Sequence, residues 1–191
     1  MKNILVPIDF SEHSNYAVEV AVDLAKKNGA TILLLHCVEL PRRFVTESTS
    51  ALPEELFFMR EAGLNVKKLS EELKSRGVAV KTVVETTALT YAVKHLLEDE
   101  SVDFIVMGST GATGSKELFL GSNAEKIVRT SSVPVLVIKD KTDISKVKKL
   151  TFACDFSQKY IDAFQKAVAF ANVLDAKIDF VYIHTPYHFN S

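Results

Sequence analysis

Short apolar runs alternate with longer stretches of helical period through most of this chain, and that alternation constrains the fold more than any other feature. Ile4 to Ile8 reads as a buried strand ending at Asp9. Ser11 is placed to cap a helix carrying Ala17, Val20, Ala21, Leu24 and Ala25 on one face, and Gly29 stops it. Thr31 to Val38 is a second strand, apolar almost throughout, as suits a strand covered on both faces. Residues 39–53 are irregular and read either as a binding lid or as a plain connector. A long helical pattern runs from Glu54 to Arg76, with Gly63 as a candidate break and Gly77 as its end. Further strands are expected at Val78–Glu85, Val102–Met107 and Val133–Lys139. Further helices are expected at Ala88–Glu98 and from a Ser122 cap to Thr130. The succession predicts an α/β fold: a doubly wound, five-stranded parallel sheet in the order 3-2-1-4-5, with helices on both faces.

Beyond the linker Asp140 to Lys146 the pattern starts again. Shifted by 146 positions, Asp155-Phe156-Ser157 falls on Asp9-Phe10-Ser11. Ala163, Ala167, Val168, Ala171, Ala176 and Ile178 fall on Ala17, Ala21, Val22, Ala25, Ala30 and Ile32. Duplication explains this better than chance likeness of two β-α-β units. The reading is a complete α/β domain over 1–140 and a partial β-α-β repeat over 141–191, without a second glycine segment.

Composition removes several classes of function. A formal net charge of -1 argues against a nucleic-acid binder. No apolar run approaches the roughly 20 residues of a membrane-spanning helix, and the N-terminus has no signal-peptide pattern. A cytoplasmic protein is expected. Cys37 and Cys154 fit no zinc or redox spacing and read as buried, reduced core thiols.

The segment Gly108 to Leu120 carries the chemistry. In a sheet of order 3-2-1-4-5, ligands sit beyond the strand ends where the order reverses, between strands one and four. Asp9 ends strand one and Gly108 follows strand four, so two separate features converge on one cleft. A helix opening at Gly121-Ser122-Asn123 offers free N–H groups and a partial positive charge to phosphate. Asp9 would repel phosphate but can accept hydrogen bonds from a ribose or an adenine edge. A P-loop does not fit, because Lys116 follows Gly114-Ser115 while the relevant helix starts after Gly121. The dinucleotide fingerprint belongs after strand one, where this chain has Asp9-Phe10-Ser11. Tight turns and a plain serine cap remain the alternative account of these glycines.

The chain resembles the universal stress protein family over residues 2–139, with a partial second copy in 148–184. The resemblance rests on Lys-Asn-Ile-Leu-Val-Pro-Ile-Asp-Phe-Ser near the N-terminus and on Met-Gly-Ser-Thr-Gly-Ala-Thr-Gly-Ser-Lys-Glu-Leu-Phe-Leu-Gly-Ser from Met107. Nucleotide-binding members of the family carry Gly, two residues, Gly, nine residues, Gly, then Ser or Thr. Gly108, Gly111, Gly121 and Ser122 have that spacing. The resemblance implies ATP or another adenine nucleotide, with Mg2+ or Mn2+ held by its phosphates. Pro7, Ile8 and Asp9 would then contact adenine and ribose, with Cys37 standing where valine is usual. Met107 and Gly108 would line the sugar, and Gly111, Gly121, Ser122 and Asn123 would hold the phosphates. The family's last strand, here Val135–Ile138, commonly pairs domains into dimers, so a homodimer is implied.

The function expected is a nucleotide-responsive stress or signalling module, with at most weak ATPase activity. The rivals are a slow nucleotide hydrolase or transferase and a nucleotide-free, dimerising interaction module. The His-x-Gly-His motif of many nucleotidyl transferases is absent. Among the histidines, His36 reads as a hydrogen-bonded core residue, and His13 and His95 as solvated helical positions. His184 and His188 lie in an aromatic tail without a third metal ligand in view.

Overall fold

A computed structural model describes residues 1–38, 52–99, 101–110, 120–154 and 158–182. The chain divides into two compact units, Met1–Thr142 and Asp143–Ser191. The first unit runs β1 (Asn3–Ile8), α1 (Glu12–Asn28), β2 (Thr31–Cys37), α2 (Leu52–Ser75), β3 (Ala79–Glu85), α3 (Leu89–Asp99), β4 (Phe104–Gly108), α4 (Ser122–Thr130) and β5 (Val135–Ile138). Its five strands form one parallel sheet in the order β3-β2-β1-β4-β5, as the alternation predicts.

Local chemistry accounts for the element ends. The Ser11 hydroxyl accepts the Ser14 N–H at 3.2 Å and opens α1. Gly29, at φ 65°, closes it in the left-handed region that glycine enters without penalty. Gly63 does not break α2. A glycine costs about 1 kcal/mol inside a helix, and burial of Ala62, Val66, Ser70 and Leu73 along one face outweighs it. Arg76, just past α2, donates to both carboxylate oxygens of Glu19 on α1 at 2.7 Å each, tying these helices on one face of the sheet. That hydrogen-bonded pairing holds the Glu19 carboxyl below its ordinary value. On the other face, Leu5, Leu33, Leu35, Ile105 and Met107 pack against Ala92 and Val93 of α3 and Ala124 and Ile127 of α4.

The second unit holds a 3-10 turn (Ile144–Lys146), β6 (Lys149–Cys154), a second 3-10 turn (Gln158–Tyr160), α5 (Ile161–Leu174) and β7 (Lys177–Tyr182). β6 and β7 pair in parallel from Lys149↔Lys177 to Cys154↔Tyr182. Adding 146 to each partner of the β1–β2 ladder, Asn3↔Thr31 to Ile8↔His36, reproduces these pairs. The offset also carries Gly29 onto Asp175, which closes α5 at a left-handed φ of 56°. The junction Asp155-Phe156-Ser157, on which the repeat was also read, lies outside the described residues.

The two units differ on the faces of their sheets. In the second, Phe152 and Phe180 stack against Phe164 of α5, with ring centroids 5.4 and 5.1 Å away. The opposite face carries Thr151 and Asp179, both exposed, where the first unit buries Leu5 and Leu33. Asp179 there pairs with the Lys149 ammonium at 2.8 Å. Among the described residues, only the first unit's sheet buries apolar side chains on both faces. Leu5→Thr should therefore lower stability by about 2–4 kcal/mol, through lost apolar contacts and a hydroxyl placed in the core. The related change Thr151→Leu should stay within about 0.5 kcal/mol. Urea unfolding followed by far-ultraviolet circular dichroism measures both.

Candidate functional site

β1 and β4 are neighbours in register Ile4↔Phe104 and Leu5↔Ile105. α1 leaves β1 on one face of the sheet and α4 follows β4 on the other, the switch-point arrangement beyond whose strand ends doubly wound sheets hold their ligands. On the β1 side, Pro7 and Ile8 are buried and Asp9 is exposed. The Asp9 carboxylate accepts the Ser11 N–H at 3.0 Å, and the Asp9 N–H donates to the Ser14 hydroxyl at 3.3 Å. Between them Phe10 sits at φ 62°, an uncommon backbone for a bulky residue. Its ring lies 5.1 Å from that of His36, whose Nδ1 is 2.8 Å from the Ile8 carbonyl. His36 is thus hydrogen-bonded as expected, but half-buried near the end of β2 and not enclosed in the core.

On the β4 side the chain turns within three residues. The Ser109 N–H donates to the Ile138 carbonyl at 2.9 Å, and the Ser109 carbonyl accepts the Gly121 N–H at 2.8 Å. A Cβ on Gly121 would stand 3.0 Å from the Ser109 carbonyl oxygen. A Cβ on Gly108 would stand 2.8 Å from the carbonyl carbon of His13 and 2.9 Å from its oxygen. Close approach of protein to protein therefore requires glycine at 108, while at 121 a side chain would press tightly on the Ser109 carbonyl. Gly121, at φ -60° and ψ 151°, is the N-cap of α4. This corrects the expectation of a Ser122 cap: Ser122 is the first helical residue. A glycine cap has no side chain to accept the N–H groups of the first turn, and helix geometry leaves these without internal partners. Ser122 and Asn123 are exposed there, and the helix end carries partial positive charge.

The remaining candidates divide by face. Cys37, half-buried at the end of β2, and Met107, 4% exposed, pack with the cluster beneath α3 and α4. Strand alternation puts Pro7 on that face too, and Ile8 and Gly108 on the α1 face. Both cysteines are half-buried and not enclosed as expected, because each ends its strand. Gly111 lies outside the described residues, as do Gly114, Lys116, His184 and His188.

One residue set aside on sequence grounds belongs here. His13 is half-buried, and its Nδ1 lies 3.1 Å from the Thr110 hydroxyl. Tyr16, one turn along α1, sits edge-on to the His13 ring, at 6.2 Å between centroids. The Tyr16 hydroxyl donates to the Glu12 carboxylate, and this bond, followed by burial, raises the phenol above its ordinary value. His95 is exposed as expected and stacks on Tyr91 at 4.3 Å.

Fold and site together define a doubly wound α/β protein with a closely packed glycine, Gly108, at its switch point. The model of the universal stress protein family matches residues 1–139. Universal stress protein MJ0577 of Methanocaldococcus jannaschii is 31% identical over 155 residues, covering 73% of this chain and 96% of the relative. A solved structure of MJ0577 matches with a TM-score of 0.67 over 74% of this chain and 98% of that one. The chain belongs to the universal stress protein family. The same fold occurs in a universal stress protein from Archaeoglobus fulgidus solved in complex with dAMP, at 16% identity, TM-score 0.50, and 73% and 98% coverage. It occurs again in a universal stress protein solved in complex with cAMP, at 20% identity, TM-score 0.50, and 72% and 96% coverage.

The packing at Gly108 makes a prediction that needs no ligand. Gly108→Ala should cost about 1–3 kcal/mol, because the new methyl meets backbone atoms of α1 rather than a yielding side chain. Thermal unfolding of the ligand-free protein measures it.

Proposed function

We propose that this universal stress protein binds an adenine nucleotide, ATP first, at the crevice between β1 and β4. Occupancy would bias its conformation or its partners in a stress or signalling response. The observation that carries the reading is the side-chain-free cap of α4, held against the β4 turn by the Gly121–Ser109 hydrogen bond. N–H groups of Ser122, Asn123 and Ala124 opening a helix suit phosphate oxygens. Gly111 would extend this cradle, as the family spacing Gly108, Gly111, Gly121, Ser122 implies. Asp9 would accept from ribose hydroxyls, and Pro7, Ile8, Cys37, Met107 and Gly108 would border base and sugar. Among the described residues no three His, Cys, Asp or Glu side chains gather to hold a metal. A Mg2+ or Mn2+ ion accompanying ATP would be carried by its phosphates. At most a slow hydrolysis is expected.

The fold holds dAMP in one solved relative and cAMP in another, but the case for this chain rests on its own residues. The edge strand β5, with half-buried Val135, Leu136 and Val137, would pair two copies into a dimer. A second reading has one observation in its favour. The closeness of Gly108 to His13 and of Gly121 to Ser109 explains both glycines inside the fold, as in a nucleotide-free interaction module.

Calorimetric titration separates the two. Wild type should bind ATP, and Gly111→Val should lose about tenfold or more, the equivalent of one or two charge-assisted hydrogen bonds. Small molecules released on denaturing the purified protein should include an adenine nucleotide. Equal affinity in both proteins, or no binding by either, would support the interaction module instead.

A further inference from the structure

We propose that His13 is a positioning residue for the nucleotide site, acting through Thr110 on the turn that precedes Gly111. The inference rests on the nucleotide-binding reading above and deepens it. The turn after β4 is tied to its own half of the sheet by two backbone bonds, Ser109 N–H to Ile138 and Gly121 N–H to Ser109. The hydroxyl of Thr110 reaches the other way, to His13 Nδ1 at 3.1 Å in the first turn of α1. This bond spans the switch point and joins the lip that follows β1 to the lip that follows β4.

The partners suit such a task. The backbone of His13 is closely packed, because its carbonyl carbon and oxygen fill the space beside Gly108 at 2.8 and 2.9 Å from where a Cβ would be. Its ring is steadied by the edge contact with Tyr16, whose hydroxyl is in turn held by Glu12. Threonine is β-branched and stiff about its first side-chain torsion, so holding its hydroxyl also restrains its backbone. Either tautomer serves, since a hydroxyl can donate to a bare Nδ1 or accept from a protonated one. His13 touches no phosphate in this account. It fixes the turn against which the opening of α4 is held for the phosphates.

The energetic scale of one neutral hydrogen bond corresponds to a change of about fivefold in the population of the positioned turn. The loss should be specific to ligands that use the turn. Titrations of ATP and of adenosine into the full-length chain test this, with wild type, His13→Ala, Thr110→Val, Thr110→Ser and the double variant His13→Ala/Thr110→Val. Each single variant that breaks the bond should weaken ATP about fivefold. The double variant should be no weaker than either, because one interaction is removed twice. Thr110→Ser, which keeps the hydroxyl but not the β-branch, should lose less ATP affinity than Thr110→Val, and adenosine should bind all five proteins alike. A thermal scan of each protein separates this from unfolding. Additive losses, unchanged ATP affinity, or equal losses of ATP and adenosine would overturn the positioning role while leaving the nucleotide reading in place. A wild type that binds no ATP would overturn both.

Discussion

At the end of β4 the backbone of His13 occupies the space that a side chain on residue 108 would need. Much of the crevice follows from that contact. With glycine there, the first turn of α1 settles against the strand end, and its cap at Ser11 lies next to Asp9 and Phe10. The same approach brings the His13 ring to Thr110. Ser109 is then free to bond outward, to β5 through its N–H and to Gly121 through its carbonyl. The opening of α4 is thereby drawn to the β4 turn. The closeness these glycines permit thus goes together with a helix end that has no side-chain cap.

The second unit shows what the first has in excess. Its strands keep the register of β1 and β2 under a constant offset of 146, down to a left-handed residue at the same helix end. Its sheet, however, has two strands, and no switch point forms among its described residues. The residues agree with that geometry. Where Leu5 and Leu33 await helices, Thr151 and Asp179 face water, and Asp179 is satisfied by Lys149. A nucleotide site of the kind proposed therefore has one place in the described chain.

Much of the fold was legible because its signals are periodic and redundant. Five apolar runs, the Ser11 cap and the Gly29 stop each point to the same doubly wound sheet, and the strand order followed from it. What was missed depends on single torsions or on contacts far apart in sequence. Gly121 and Ser122 are both acceptable caps, and only the extended torsions at Gly121 assign the cap to it. Gly63 reads as a break until the buried face of α2 is seen to run through it. His13 looked solvated because helical period says nothing of a partner 97 positions away. A signal was present all the same: a histidine in the turn after Asp9 must approach whatever follows strand four. The reason for Gly108 was legible only in part, since its closest neighbour is protein backbone.

The central claim is that the ligand surface of this chain lies at one switch point, built mainly from backbone groups. A nitrogen–proton correlation spectrum of the full chain titrated with ATP tests it most directly. The shifts should concentrate at Asp9, Gly108 to Thr110 and Gly121 to Ala124, with residues 149–182 unmoved. Shifts centred on residues 149–182, or a spectrum unchanged at saturating ATP, would contradict it.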